Sequence, residues 1–331
     1  MGDVLTDLPL EQLWQYRSAQ TTPDDFDAFW ADTLTESRAA APISIELVRV
    51  EPDLASIELY DVTFPGFAGQ PIKGWLRVPA GAGGPLPAIV QYIGYGGGRG
   101  RAWENLLWAS AGFVHLQMDT RGQGAAWSAG ATGDDPGPAA SGPQIAGVMT
   151  RGIDAPEDYY YRRLVTDAVR AIDAIRTLDV VDESRIAVLG TSQGGGLALA
   201  VAGLRDDLAA VAANVPFLSD YPRAIAITDA RPYHELTEYL AVHREKAEQV
   251  LRTLSYHDAV SFSSRASAPA RFSAALMDPV TPPSTVFGAF HRYAGEKEMR
   301  VWPYNGHESG QADEEAEVLA FLRARLAAGP A

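Results

Sequence analysis

The chain has 331 residues, of which 47% are apolar and 21% charged, so it can bury a large core and shows no sign of disorder, fibre or repeat. Its formal net charge of −15 at pH 7 repels nucleic acid and anionic membranes, and neither is expected as a partner. The absence of cysteine excludes disulfides, thiolate nucleophiles and cysteine-bound zinc.

The first 42 residues are predicted to form a helical extension of the main body. Pro23 precedes an amphipathic stretch that places Phe26, Trp30 and Leu34 on one face, which should pack against the rest of the chain. The N-terminus lacks the basic and apolar regions of a signal peptide. No stretch approaches the about 18 apolar residues of a membrane span. We therefore expect a soluble, cytoplasmic protein.

Strand-like and helix-like patterns then alternate along the chain. Three runs rich in Val, Ile and Tyr predict antiparallel strands at 43–50, 56–64 and 72–78. More apolar runs follow at 88–93, 113–118, 185–189, 209–215, 272–277 and 299–302. Helical patterns such as 159–178 and 197–204 lie between several of them. Strands that alternate with helices predict an α/β fold in which a mostly parallel sheet carries helices on both faces, within one domain spanning 1–331.

Two segments interrupt this alternation. Residues 124–156 are rich in Gly and Pro, and residues 217–262 are polar and helical and contain His234, His243 and His257. Both are predicted to be lids or subunit contacts, because long excursions from a compact fold are usually functional.

The strand-like run at 186–190 leads into Gly190-Thr191-Ser192-Gln193-Gly194. This is the form of a nucleophile elbow, a sharp strand-to-helix turn that exposes a serine hydroxyl. Glycines two residues before and after leave room for the strained serine backbone. Because Gly-x-Ser-x-Gly also arises by chance, the rest of the chain has to supply the partners that Ser192 needs.

A serine hydroxyl becomes a nucleophile only when a base takes its proton, and a buried acid must hold that base in one tautomer. In this arrangement the acid and the histidine follow the serine along the chain. His291 falls within a helical pattern at 284–293 and is expected to be solvated. His307 follows the last strand in a loop, where open α/β sheets place their chemistry. His307 is therefore the predicted base.

Asp278 is the predicted acid. It directly follows an apolar strand and precedes Pro282-Pro283, a pair that can begin the next helix. The alternative is a structural aspartate that caps a helix or turn. Glu308 is a weaker candidate, because adjacent residues rarely face each other well enough for the carboxylate to hold the His307 ring.

The tetrahedral intermediate of acyl transfer needs two preset N–H donors. The backbone N–H of Gln193 follows the nucleophile and is predicted to supply one. The second is expected from the glycine-rich loop at 93–98, where we choose Tyr95. Nucleotide binding by this loop is disfavoured. It has no following Lys-Ser/Thr, and it does not form Gly-x-Gly-x-x-Gly ahead of a helix.

Three short motifs in this order point to a family: Arg121-Gly122-Gln123, Gly190-Thr191-Ser192-Gln193-Gly194 and His307-Glu308. They resemble the signature motifs of the acetyl xylan esterase / cephalosporin-C deacetylase family, carbohydrate esterase family 7. Flanking sequence at 119–121, 159–163, 215–217 and 282–287 is also similar, so the resemblance covers nearly the whole chain.

The resemblance implies an α/β-hydrolase fold, a catalytic triad of Ser192, Asp278 and His307, an oxyanion hole made by the Tyr95 and Gln193 amides, and no metal or organic cofactor. It further implies deacetylation of small acetylated substrates, such as xylo-oligosaccharides and cephalosporin C. The implied assembly is a homohexamer whose active sites face an internal cavity.

The chain departs from many relatives near the second oxyanion donor. Ile93 replaces a histidine found in some members, and Gly96 replaces a polar residue. Arg121 is expected to brace the loops around the site rather than to react.

Two other functions fit the same residues. A lactone or other small-ester hydrolase, or a peptidase, of this fold would use the same serine, and ester and amide versions of one substrate would separate the possibilities. A binding module that has lost catalysis usually lacks a triad member, whereas this chain retains all three.

Overall fold

A single mixed sheet forms the centre of the computed structural model, which describes residues 6–51, 54–134 and 147–327. Its strands are β1 (Glu46–Val50), β2 (Ile57–Pro65), β3 (Pro71–Pro79), β4 (Leu86–Tyr92), β5 (Val114–Met118), β6 (Val181–Thr191), β7 (Ala210–Asn214), β8 (Ala270–Ala275) and β9 (Lys297–Trp302). The strand order is β1-β2-β3-β5-β4-β6-β7-β8-β9. The first three strands and β5 pair in antiparallel fashion, and all pairs from β5 to β9 are parallel.

Helices cover both faces of this sheet. They are α1 (Leu10–Gln15), α2 (Phe26–Ala40), α3 (Leu107–Ser110), α4 (Tyr160–Ile175), α5 (Gln193–Leu204), α6 (Tyr221–Ile227), α7 (Tyr233–Val242), α8 (Ala247–Ser255), α9 (Ala259–Ser263), α10 (Pro283–Arg292) and α11 (Gln311–Leu326). Val188 of β6 packs with α4 and α5, while its neighbours Ala187 and Leu189 pack with α3 and α11. Successive side chains of a strand point to opposite faces, so a doubly covered strand has to be apolar throughout.

The order of the strands brings two distant loops together. Strands β4 and β6 are neighbours, with Tyr92 paired to Gly190, although β5 lies between them in the sequence. The loop that follows Tyr92 therefore lies beside the turn that follows Thr191, at the edge formed by the carboxyl ends of the parallel strands. Strands β8 and β9 end at the same edge, where such sheets carry their sites.

The N-terminal extension packs against the segment at 217–262. Helix α2 buries Phe26, Trp30 and Leu34 in the main core. The Trp30 side chain is only 1% exposed, and its Nε1 donates a hydrogen bond of 2.9 Å to the carbonyl oxygen of Tyr256. His257 is buried beside the rings of Trp30 and Tyr159. The extension is therefore part of the folded body rather than an appendage.

Parts of the earlier expectations stay predictions. Residues 135–146 of the proposed excursion at 124–156 lie outside the described residues. No helix within the described ranges is long and apolar enough to cross a membrane. The single-domain organisation and the cytoplasmic location stay predictions.

We expect Trp30→Ala to lower the free energy of unfolding by about 3–5 kcal/mol, because it removes a buried indole and leaves the Tyr256 carbonyl without its donor. Trp103 is 57% exposed, so Trp103→Ala should cost about 0.5 kcal/mol or less. Denaturant unfolding followed by circular dichroism measures both variants. Equal losses would contradict the packing role of Trp30.

Candidate active site

Ser192 occupies a strained turn between β6 and α5, with φ 59° and ψ −121°. A conformation of this kind costs of order 1–3 kcal/mol and persists only where its surroundings enforce it. A Cβ on Gly190 would lie 2.2 Å from the carbonyl carbon of Gly194, and a Cβ on Gly194 would lie 2.2 Å from the carbonyl oxygen of Tyr92. Both positions therefore require glycine. The turn leaves Ser192 7% exposed at the N-terminus of α5.

His307 and Asp278 extend from Ser192 in a line of hydrogen bonds. The Nε2 atom of His307 lies 3.0 Å from the Ser192 Oγ, and its Nδ1 lies 2.8 Å from the Asp278 Oδ2. An ionised carboxylate can only accept, so the proton of the neutral ring belongs on Nδ1 and the lone pair of Nε2 faces the serine. This is the geometry that a general base needs to take the hydroxyl proton.

The Asp278 carboxylate is fully buried and held by its own turn. It accepts hydrogen bonds from the backbone N–H of Val280 at 2.8 Å and of Thr281 at 3.0 Å. The Thr281 hydroxyl donates a further bond of 2.7 Å. The structural role considered for Asp278 and its contact with His307 therefore occur together. Fixing the carboxylate in this way also fixes the orientation of the imidazole ring.

Glu308 and His291, the less favoured candidates for the acid and the base, lie outside the Ser192–His307–Asp278 hydrogen bonds. The Glu308 carboxylate folds back onto its own loop and accepts from the Gly306 N–H at 3.1 Å. Bonds from the backbone N–H groups of Glu308 and Gly306 lower the pKa of this carboxyl. His291 was expected to be solvated and is half-buried, because α1 packs against one side of it. Its ring packs near Trp14, its Nε2 lies 3.2 Å from the carbonyl oxygen of Leu13, and burial lowers its pKa.

The predicted oxyanion donors belong to two segments next to Ser192, the start of α5 and the glycine-rich loop. Gln193 is the first residue of α5, so its N–H has no acceptor one turn earlier in the helix. The Gly97 N–H donates to the Gly94 carbonyl oxygen at 3.1 Å. This bond fixes the Gly94–Tyr95 peptide with its N–H directed out of the turn. A Cβ on Gly94 would lie 3.9 Å from the Cβ of Ser192, so the peptide lies next to the serine.

A buried pair of glutamines connects the two donor segments. The Oε1 of Gln123 accepts from the Gly96 N–H at 2.6 Å, and its Nε2 donates to the Oε1 of Gln193 at 3.0 Å and to the Tyr160 hydroxyl at 2.9 Å. The Nε2 of Gln193 donates to the Ile93 carbonyl oxygen at 3.1 Å. The glycine-rich loop is therefore tied at both ends to the elbow. Sequence reasoning assigned no role to Gln123, and the Arg-Gly-Gln motif was its only signal.

Arg121 is fully buried and makes a two-pronged ion pair with Asp167, at 2.5 Å from Nε and 2.7 Å from Nη2. The Asp134 carboxylate lies 3.4 Å from its Nη1. Its backbone carbonyl accepts from the Tyr160 hydroxyl at 2.6 Å. These contacts agree with the expected bracing role, because they fasten the chain just before Gln123.

A cavity of about 460 Å³ opens in front of Ser192. Its walls are mainly apolar and include the rings of Tyr95 and Trp127 together with Pro232 and Val280, and Arg231 also lines it. The Tyr95 hydroxyl donates to Glu235 of α7 at 2.8 Å. The segment at 217–262 therefore forms part of the cavity wall. Within the described part of the chain, no cluster of His, Asp and Glu side chains is arranged to hold a metal ion.

Comparison with known proteins covers nearly all of the chain. The family model for acetyl xylan esterase (AXE1) matches residues 4–325. The acetyl xylan esterase from Paenibacillus sp. R4 is 39% identical, with a TM-score of 0.87 over 96% of this chain and 100% of that one. Acetyl xylan esterase 1 from Thermoanaerobacterium sp. JW/SL YS485 is 31% identical, with a TM-score of 0.85 over 97% of this chain and 100% of that one.

A curated relative is longer than this chain. Acetyl esterase Axe7A from Xylanibacter ruminicola is 28% identical over 300 residues, which cover 86% of this chain and 63% of that protein. The chain thus spans less than two thirds of this relative. The similar structures confirm the predicted α/β-hydrolase fold. The catalytic roles of Ser192, Asp278 and His307, and the oxyanion roles of Tyr95 and Gln193, stay predictions.

Replacing the nucleophile should abolish ester cleavage. We expect Ser192→Ala to lower kcat for 4-nitrophenyl acetate by at least about 10⁴-fold. Asp278→Asn should cost about 10⁴-fold, because an amide can hold His307 in the wrong tautomer. The exposed Ser184 provides the control Ser184→Ala, which should retain normal rates. Stopped-flow release of 4-nitrophenolate measures all three, and an active Ser192→Ala would exclude this serine as nucleophile.

Removing the glutamine bridge should weaken the oxyanion hole without destroying it. We expect Gln123→Met to lower kcat by about 10- to 100-fold with a smaller change in KM, since a donor that is only misplaced costs less than the roughly 100- to 1000-fold of one that is lost. Tyr160→Phe removes one partner of Gln123 but leaves its bond to Gly96, so its effect should be smaller. Steady-state kinetics distinguish the two, and equal rates in wild type and Gln123→Met would contradict the bridging role.

Proposed function

Because the chain belongs to the acetyl xylan esterase family, we propose that it is a serine carboxylesterase that removes acetyl groups from small acetylated sugars. The observation that carries this proposal is the Ser192–His307–Asp278 line of hydrogen bonds at the mouth of a largely apolar cavity. An acetyl group is small and apolar, and a sugar ester has no net charge. The apolar cavity suits the acetyl group, and a neutral sugar is not repelled by the strongly acidic chain.

The reaction has two halves that use the same residues. The Ser192 Oγ attacks the acetyl carbonyl carbon while the His307 Nε2 takes the hydroxyl proton, and Asp278 stabilises the imidazolium that forms. The N–H groups of Tyr95 and Gln193 donate to the oxyanion. His307 then gives its proton to the sugar oxygen, and the C–O bond breaks to leave acetyl-Ser192. Water, deprotonated by His307, attacks this ester; the bond between the acetyl carbon and the Ser192 Oγ then breaks, His307 returns the proton to the Oγ, and acetate leaves.

Two finer assignments rest on the resemblance to carbohydrate esterase family 7. The first is cephalosporin C as a further substrate, since its acetoxymethyl group is also a small acetate ester. The second is a homohexamer whose active sites face an internal cavity. A lactonase, another small-ester hydrolase or a peptidase of this fold is the alternative, although an amide needs stronger protonation of its leaving group.

Acetate release from acetylated xylobiose and from cephalosporin C tests the proposed substrates. We expect activity on both with the intact protein and none with Ser192→Ala. If neither compound is cleaved while 4-nitrophenyl acetate still is, the serine mechanism stands and the substrate assignment is wrong. An amide analogue of the same acetyl donor separates the esterase from the peptidase, which would cleave both.

An enclosed assembly should restrict access to small substrates. We expect polymeric acetyl xylan to be deacetylated at least about tenfold more slowly per acetyl group than acetylated xylobiose, because only a chain that fits through the openings reaches the serine. Multi-angle light scattering on the same sample should give six chains per particle. A monomer, or equal rates on polymer and oligomer, would contradict the enclosed hexamer.

A further inference from the structure

A second cavity of about 370 Å³ adjoins the one in front of Ser192. Gly94, Trp127 and Thr191 line both cavities, so the two spaces meet beside the nucleophile. The second cavity is more polar than the first, because its lining includes the amide side chains of Gln91, Asn105 and Gln117 and the carboxylate of Glu104. Its size falls within the about 300–1,000 Å³ of ligand pockets. The acetyl transfer derived above uses none of these polar groups.

Two glutamines on neighbouring strands present amide N–H groups to this cavity. Gln91 of β4 pairs with Gln117 of β5 in parallel register, so their side chains lie next to each other. Gln117 is 2% exposed, and its Oε1 accepts a bond of 3.1 Å from the Asn105 Nδ2. The Oε1 of Gln91 lies 2.9 Å from the Nε2 of His115. With both side-chain oxygens engaged, the amide nitrogens are the ends left to donate into the cavity that these residues line.

The buried His115 fixes the orientation of the Gln91 side chain through a hydrogen bond. His115 is fully buried, and its Nδ1 lies 3.4 Å from the Nη1 of Arg77. A guanidinium can only donate, so this Nδ1 accepts and the ring proton lies on Nε2, which donates to Gln91. Burial lowers the pKa of His115 well below its usual range, which keeps the ring neutral. The Gln91 side chain is therefore held in one orientation.

Trp127 stands at the boundary between the two cavities. Its side chain is 63% exposed, yet its Nε1 donates a bond of 2.7 Å to the Tyr95 carbonyl oxygen. A Cβ on Gly97 would lie 2.3 Å from the indole ring, so the ring packs closely on the glycine turn. An aromatic ring that is held in place but left uncovered supplies a flat apolar surface for a ligand.

We propose that this second cavity is a subsite for a neutral pyranose ring, the part of the substrate that leaves as the alcohol. A pyranose has an apolar C–H face that can pack on Trp127 and a rim of hydroxyls that each donate and accept. Gln91 and Gln117 supply donors, and Asn105 and Glu104 supply acceptors. The Glu104 carboxylate repels an anionic sugar, so phosphorylated sugars are excluded. This inference rests on the proposed acetyl-sugar esterase.

The test compares a sugar ester with an ester that lacks a sugar. In Gln117→Met the kcat/KM for acetylated xylobiose should fall about 5- to 10-fold relative to that for 4-nitrophenyl acetate, mainly through KM, as one neutral hydrogen bond is lost. Glu104→Gln should lower the same ratio about tenfold, since a charged acceptor is lost. Glu104 is exposed, so this variant keeps its fold even if Gln117→Met does not. Gln12→Met, an exposed change on α1, is the matched control and should leave the ratio unchanged.

Free xylobiose gives a second readout that needs no acetyl group. It should inhibit 4-nitrophenyl acetate cleavage by the wild type competitively, and its inhibition constant should rise about 5- to 10-fold in Gln117→Met and Glu104→Gln. Equal losses on both esters, or unchanged ratios and inhibition constants, would overturn the subsite while the esterase stands. A wild type that cleaves 4-nitrophenyl acetate but not acetylated xylobiose would instead refute the sugar substrate, and the subsite with it.

Discussion

The arrangement of the site depends on one backbone constraint, the strained turn at Ser192. Its main chain is fixed by bonds to neighbouring segments, with the Ser192 N–H donating to Asn214 and the Phe217 N–H donating to the Ser192 carbonyl oxygen. Gly190 and Gly194 permit the close approach of β4 and α5 that this turn needs. The surrounding sheet therefore supplies the free energy that keeps the serine in an otherwise unfavourable conformation. The histidine, the acid and the two N–H donors are all positioned relative to this point.

Polar groups buried around the turn are satisfied by one another. Gln123 and Gln193 exchange a hydrogen bond and each hold a backbone group of the glycine-rich loop. Arg121, just before, is neutralised by Asp167 and Asp134. Removing one member of such a set leaves the others buried without partners, which costs more than the bond itself contributes. The loops around the serine consequently behave as one connected structure.

The sequence was most informative where the relevant physics is local. Apolar runs predicted the central parallel strands, because strands covered on both faces need apolar side chains throughout, and the elbow pentapeptide predicted the turn at Ser192. The order serine, acid, histidine, together with their places after strands, led to Asp278 and His307; in the structure His307 lies between Ser192 and Asp278 and is within hydrogen-bonding distance of both. That choice used positions at strand ends and required no knowledge of side-chain packing.

Properties set by contacts between distant segments could not be predicted in this way. His291 follows a helical pattern that gives no indication of its contacts with α1, which leave it half-buried. The role of Gln123 depends on Gly96 and Gln193, which are far from it in sequence. Gln91 and Gln117 lie within or at the end of runs that look like ordinary buried strands, and only the parallel register of β4 and β5 places them side by side.

Three groups of Tyr95 each have a separate role, and their partners lie on different parts of the chain. Its N–H is a predicted oxyanion donor, its carbonyl is held by Trp127, and its hydroxyl lies between Glu235 and the Val148 N–H. Burial raises the pKa of this phenol, so the hydroxyl remains protonated and keeps its bond to Glu235. A substitution of Tyr95 would therefore also remove hydrogen bonds made by Glu235 and Val148. A chimera that exchanged the 217–262 segment with that of a relative would have to carry a matching acceptor at position 235, or the Tyr95 side chain would lose its bond to α7.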